Sequence, residues 1–190
     1  MEEIRMKCSA DINEIRKLVT EFRSAIVRAN EKGDFENDIG QHTFPDASCG
    51  TASELLAEYL LRHRFKTLLV QLTRDHGGHV LLVIKDDRVK EPTQRGTRLP
   101  DTVLDAYRSY GGNTNGYFNE TRYEEEDVID GVIVDITASQ FPDYKEYYDD
   151  PVFVGGVDQF FSTFDFIRAD EYDHLPDGMQ EQYKLVEQNI

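Results

Sequence analysis

The sequence predicts an α+β fold, a helical N-terminal part packed on an antiparallel β-sheet, and three features carry that prediction. Apolar residues recur at helical spacing over 11–32 and again over about 48–63. Two apolar runs, Thr67–Thr73 (TLLVQLT) and His79–Lys85 (HVLLVIK), are separated by a short loop with two glycines, the pattern of an antiparallel hairpin. A third strand-like run, Gly131–Thr137 (GVIVDIT), follows after a long interval.

In the first helix Ile12, Ile15, Leu18, Val19, Phe22 and Ile26 share one face, an apolar stripe that marks a buried contact. Asp11 and Glu14 have the spacing of a capping box with Asp in the cap position, and Gly33 is placed to end the helix. Residues 34–47 are polar and broken by Gly40 and Pro45, so they read as a loop. The second helix runs from about Ser48 to His63, with Ala52, Leu55, Leu56, Tyr59 and Leu60 inward and Glu58–Arg62 as an exposed i,i+4 pair. The hairpin loop is Arg74–Gly78 (RDHGG). Between Asp86 and Asp130 the pattern breaks down. Residues 100–110 suit a short helix ending at Gly111-Gly112, and Glu124–Asp127 is an acidic run. So long a stretch is an excursion from the core, with two readings: a lid over a substrate or a solvated insertion. Pro151–Gly155 and Phe164–Arg168 are weaker strand candidates, and Asp177–Ile190 suits a last short helix. No internal repeat or Pro-rich linker interrupts the chain, which reads as one domain with a core of about 42–140 and an extension at 150–190.

Composition narrows the function. The 190 residues are 39% hydrophobic, enough for a core that needs neither disulfides nor metal. Lys and Arg total 21 against 37 Asp and Glu, a formal net charge of −16. Such a surface repels phosphate backbones and anionic lipid headgroups, which sets nucleic acid and membranes aside as partners. No apolar run approaches the roughly 18 residues of a bilayer-spanning helix, and the start, MEEIRMKCSA, lacks the apolar core of a signal peptide. Two cysteines, Cys8 and Cys49, are too few for a disulfide scaffold. The expectation is a cytoplasmic protein.

The chemistry points to Cys49. It lies at the mouth of the second helix, where either Asp46 or Ser48 could cap. Orphan N–H groups and the helix dipole there favour an anion, so a thiol in that place ionises more readily, and the thiolate is its reactive form. Cys8 reads instead as a buried small hydrophobe. A thiolate needs a base to hold and return the proton. Of the five histidines, His63 ends a helix that carries a charged face and reads as a solvated C-terminal residue, His174 lies in a polar turn, His42 sits in the loop before Cys49, and His76 and His79 flank Gly77-Gly78. His79 stands apart because it opens a very apolar strand, a rigid mount facing the end of a neighbouring helix. Asp135, inside the otherwise apolar GVIVDIT, needs a partner, since an unpaired buried carboxylate is costly. A histidine on the adjacent strand would serve, oriented by the carboxylate through its other N–H.

The order Cys–His–Asp, with a helix-borne thiol and strand-borne imidazole and carboxylate, resembles the papain-like and transglutaminase-like cysteine hydrolase superfamily. It is most similar to bacterial transglutaminase-like domains, whose C-G-x-[AS], H-[AV]-x-[LV] and V-D-x-T motifs match Cys49-Gly50-Thr51-Ala52, His79-Val80-Leu81-Leu82 and Val134-Asp135-Ile136-Thr137. The likeness covers roughly residues 42–140. The chain departs from the family in having no Trp and in the 56 residues from His79 to Asp135, which make 86–130 an insertion between core strands. Papain-like members carry an oxyanion-hole glutamine shortly before the cysteine; the nearby one here is Gln41, and the backbone N–H of Cys49 is a second candidate donor.

The resemblance implies acyl transfer on a protein or peptide amide, by hydrolysis, deamidation or transamidation, through a Cys49–His79–Asp135 triad with no cofactor. The acidic surface hints at a basic protein or polyamine partner. Three rival readings stand beside it: a catalytically inactive binding module of the same fold, an acidic interaction protein without chemistry, and a metal site using Asp75, His76 and His79.

Overall fold

The computed structural model describes residues 12–33, 35, 44–74, 77–85, 93–98, 117–123, 125 and 131–190, with 93–98 and 117–122 described by backbone alone. Helix α1 (Ile12–Lys32) and helix α2 (Cys49–Arg62) precede a sheet built from β1 (Thr67–Arg74), β2 (Gly77–Ile84), β5 (Val132–Asp135), β6 (Phe153–Gly155) and β7 (Asp165–Glu171). Its order is β6-β5-β2-β1-β7, with every neighbouring pair antiparallel. A polar hairpin of β3 (Thr93–Arg98) and β4 (Tyr117–Arg122) stands beside it, and α3 (Gln180–Glu187) packs against α1. The protein is thus an α+β fold whose N-terminal helices pack on an antiparallel sheet.

The period-two alternation of the strands sorts the core into two layers. Leu82, Ile84, Val132, Val134 and Val154 face α1 and α2, meeting Val19, Phe22, Leu55, Leu56 and Leu60. Leu81, Val83, Ile133, Leu68 and Val70 face the other way, onto Tyr144, Phe160, Phe161 and Phe164. No helix covers this second face among the described residues. Aromatic rings from the stretch 141–166 cover it, carried on short 3₁₀ turns at Ala138–Gln140, Pro142–Glu146 and Phe161–Thr163. Arg74 ties the layer to the end of β1: its guanidinium lies 4.9 Å from the Phe141 ring centre and 4.6 Å from that of Phe164, and grips Asp143 at 2.8 and 2.9 Å.

Several sequence expectations change. Ile12 is exposed, and the buried stripe of α1 begins only at Ile15, because the first turn projects beyond the packed layer. Gly77 and Gly78 are strand residues: the ladder closes down to Arg74↔Gly77, so backbone pairing extends into the predicted loop. Residues 86–130 contain the β3–β4 hairpin, and Tyr123 bridges it to Ala169 of β7. Residues 150–190, read as an extension, supply both edge strands and part of the aromatic layer. The helix over 100–110, the Asp11 cap and Cys8 fall outside the described residues. Gly33 does end α1, in the left-handed region at φ +77°. No helix among the described residues is long and apolar enough to cross a membrane.

Candidate active site

The site forms where β5 leaves the sheet. Strand β5 pairs with β2 only over Leu82–Ile84, so Val80, paired with Gln71 of β1 on one side, has no strand beside it on the β5 side. The start of α2 fills that place. Ser53 Oγ donates to the Val80 carbonyl at 3.0 Å, and the Val80 N–H serves the Cys49 sulfur. Cys49 is the first residue of α2 and is half-buried.

Neither predicted cap caps. Asp46 is exposed, and the Ser48 hydroxyl donates backwards to the Pro45 carbonyl at 2.8 Å. The helical ladder opens only with the Ala52 N–H to the Ser48 carbonyl at 2.9 Å. The amides of the first turn therefore lie outside the ladder, and that of Gly50 goes to the Cys49 sulfur. Just before the helix, Ala47 sits in the left-handed region at φ +52°, a conformation non-glycine residues rarely adopt and one that collects at functional sites.

His79 and Asp135 lie on the aromatic face of the sheet. One step beyond the register pair Leu82↔Val134, Asp135 stands opposite Leu81 and diagonal to His79. His79 Nε2 is 2.6 Å from Asp135 Oδ2, and both side chains are fully buried. The other carboxylate oxygen accepts the Thr137 N–H at 2.8 Å, the Ala138 N–H at 2.9 Å and the Thr137 hydroxyl at 3.1 Å. This is the physical content of the D-x-T pattern: an Asx-type turn fixes the carboxylate that fixes the ring. Phe141 meets the imidazole edge-on at 5.0 Å between centres, and Phe164 lies at 5.7 Å. With Nε2 held by Asp135, Nδ1 is the nitrogen open to the Cys49 thiol and to the Gln140 amide 3.3 Å away.

Burial disfavours charge on both members of the Cys–His pair, and their partners outweigh it. For His79, burial acts downward, but the charge and hydrogen bond of Asp135, with help from Cys49, raise its pKa to about 9. For Cys49, burial acts upward, but the hydrogen bond and charge of His79 and the N–H groups of Val80 and Gly50 bring its pKa below the ordinary thiol value. Each partner therefore favours the charged form of the other, and the two titrate as a coupled unit. Alkylation of Cys49 by iodoacetamide should consequently reach its plateau at a lower pH than an ordinary thiol. His79→Ala should move that midpoint upward, because the lost cation is what favours the thiolate. A stopped-time mass measurement across pH checks both.

Of the residues expected from the sequence, Cys49, His79 and Asp135 come together, while Gln41, His42, Asp75 and His76 lie outside the described residues. Among the described residues no cluster of metal-ligating side chains occurs, and His79 has both ring nitrogens engaged. One residue escaped the sequence reading. Gln140, on the 3₁₀ turn after Asp135, brings Nε2 to 3.3 Å from His79 Nδ1 while its Oε1 accepts the Ala47 N–H at 3.2 Å. Its only sequence signal was its place five residues after the aspartate. Beyond the ring, an apolar cavity of about 200 Å³ is lined by Leu72, Leu81, Val83, Phe161 and Phe164. Leu72 is the register partner of His79, so the cavity abuts the site.

No protein-family model, curated protein or solved structure matches the chain. The reading of the site therefore rests on its own geometry.

Proposed function

We propose that this protein is a thiol-dependent amide hydrolase or acyltransferase of the transglutaminase-like kind, working through Cys49, His79 and Asp135. The observation that carries the reading is a single buried imidazole, paired with Asp135 at 2.6 Å on one nitrogen and set against a half-buried cysteine at a helix start. Structural ion pairs bury carboxylates and imidazoles too. They have no reason to add an accessible thiol whose ionisation depends on the ring.

The chemistry then runs in two halves. The Cys49 thiolate attacks the amide carbon and its π electrons move onto the oxygen. The C–N bond breaks as that oxyanion collapses, and the imidazolium of His79 gives its Nδ1 proton to the departing amine. A thioester remains. Water or a second amine attacks it, His79 takes the incoming proton, and the carboxylic acid or new amide leaves while the thiolate returns. Asp135 holds the ring in one orientation.

A protein or peptide amide is the substrate class. The net charge of −16 favours a basic protein or a polyamine as partner, and the apolar cavity beside His79 suits an apolar side chain flanking the amide. Incubation with glutamine-containing proteins, with and without a primary amine, followed by mass spectrometry, tests the proposal. Glutamine converted to glutamate identifies a deamidase, backbone cleavage a protease, and amine incorporation a transglutaminase. His79→Ala should abolish whichever product appears. No Cys49-dependent product from any amide, and no acyl group ever found on Cys49, would defeat the reading.

A further inference from the structure

We infer that the side-chain amide of Gln140 donates to the substrate's carbonyl oxygen as it becomes an oxyanion. This deepens the proposed function and rests on Cys49 being the nucleophile.

The orientation of the carboxamide is decided by chemistry. The Ala47 N–H can only donate, so the atom 3.2 Å from it must be the oxygen, and the nitrogen must face His79 Nδ1 at 3.3 Å. With a neutral ring that contact is an ordinary bond from the amide to the Nδ1 lone pair. Once Nδ1 carries the proton, two donors face each other and the Gln140 N–H loses its acceptor. The imidazolium is the form that accompanies the thiolate, so the donor is already free of the ring when negative charge appears on the carbonyl oxygen. A bond that strengthens as that charge develops lowers the barrier instead of merely tightening binding.

The same carboxylate that holds the ring also sets this donor in place. Asp135 Oδ1 accepts the N–H groups of Thr137 and Ala138, and the turn they begin carries Gln140, whose own N–H closes onto the Thr137 carbonyl at 3.0 Å. The Gln140 oxygen, in turn, is tied to the loop two residues before Cys49. The backbone N–H of Cys49, which precedes the helical ladder, is the natural second donor.

The experiment compares two reactions of the same sulfur. A neutral activated ester such as p-nitrophenyl acetate acylates it through an oxyanion; iodoacetamide alkylates it by displacement at carbon, without one. Gln140→Ala and the similarly sized Gln140→Met should slow acylation of Cys49 roughly 10²- to 10³-fold, while alkylation stays within a few-fold of the parent at every pH. Equal loss in both reactions would mean that Gln140 only holds the loop and the ring, and unchanged acylation would remove it from the chemistry; either overturns the inference. A parent protein that alkylates at Cys49 yet is never acylated there defeats the nucleophile reading itself, and this inference with it.

Discussion

Cys49→Ala is expected to remove acyl transfer altogether and leave the fold standing. The sulfur is the group that forms the covalent intermediate in the proposed reaction, and loss of a nucleophile in a concerted triad costs on the order of 10⁶ in turnover. The fold should tolerate the change because the thiol is half-buried and the methyl group of Ala fits the first turn of a helix without strain. Activity against an ester or peptide amide, set beside the thermal unfolding curve, makes the test; turnover at the parent rate would end the proposal. Cys49→Ser should not rescue, since a hydroxyl is far harder to ionise than a thiol. A spectroscopic consequence follows: with the sulfur gone, one of the influences raising His79 disappears, so its ring should titrate lower than in the parent in an NMR pH series.

Asp135 carries the second large effect, and two substitutions divide it. Asp135→Asn preserves shape and removes charge. Burial, the largest influence on His79, then meets no carboxylate, so the ring's pKa falls and the imidazole is neutral at pH 7. A neutral ring no longer favours the thiolate, and the alkylation midpoint of Cys49 moves to higher pH. Turnover should drop by about 10⁴, the scale seen when a triad carboxylate becomes an amide and the ring adopts the wrong tautomer. Asp135→Ala goes further. It strands the N–H groups of Thr137 and Ala138 and the buried ring together, a loss of about 3–5 kcal/mol. Urea unfolding separates the two variants: the Asn form should remain close to the parent, and the Ala form should not. An Asp135→Ala protein of parental stability would mean that the carboxylate is not the hub the geometry makes it.

Much of this was legible in the chain, and the reason differs from element to element. Helix α2 announces itself by period, because it buries one face, and the β1–β2 hairpin by its apolar runs, because both faces of its strands meet core residues. Asp135 was visible as a misfit, a carboxylate among Val and Ile that had to find a donor. The β3–β4 hairpin was invisible because TQRGTR and YFNETR have no apolar alternation; its pairing is carried by backbone groups, which every sequence possesses. The aromatic layer escaped because 3₁₀ turns have no long period to detect. The caps expected at Asp46 and Ser48 failed for a local reason, the Ser48 hydroxyl being committed to Pro45.

The amino-acid sequence by itself determined the fold class, the position of a thiol at a helix start, and the pairing need of two polar residues in apolar strands, since all three follow from local periodicity and the cost of burying charge. Only the tertiary structure decided that Asp135 serves both the ring and the turn bearing Gln140, and that α2 occupies the edge β5 vacates. Those are relations between segments distant in the chain, settled by which hydrogen-bonding groups remain unpaired once the sheet has formed.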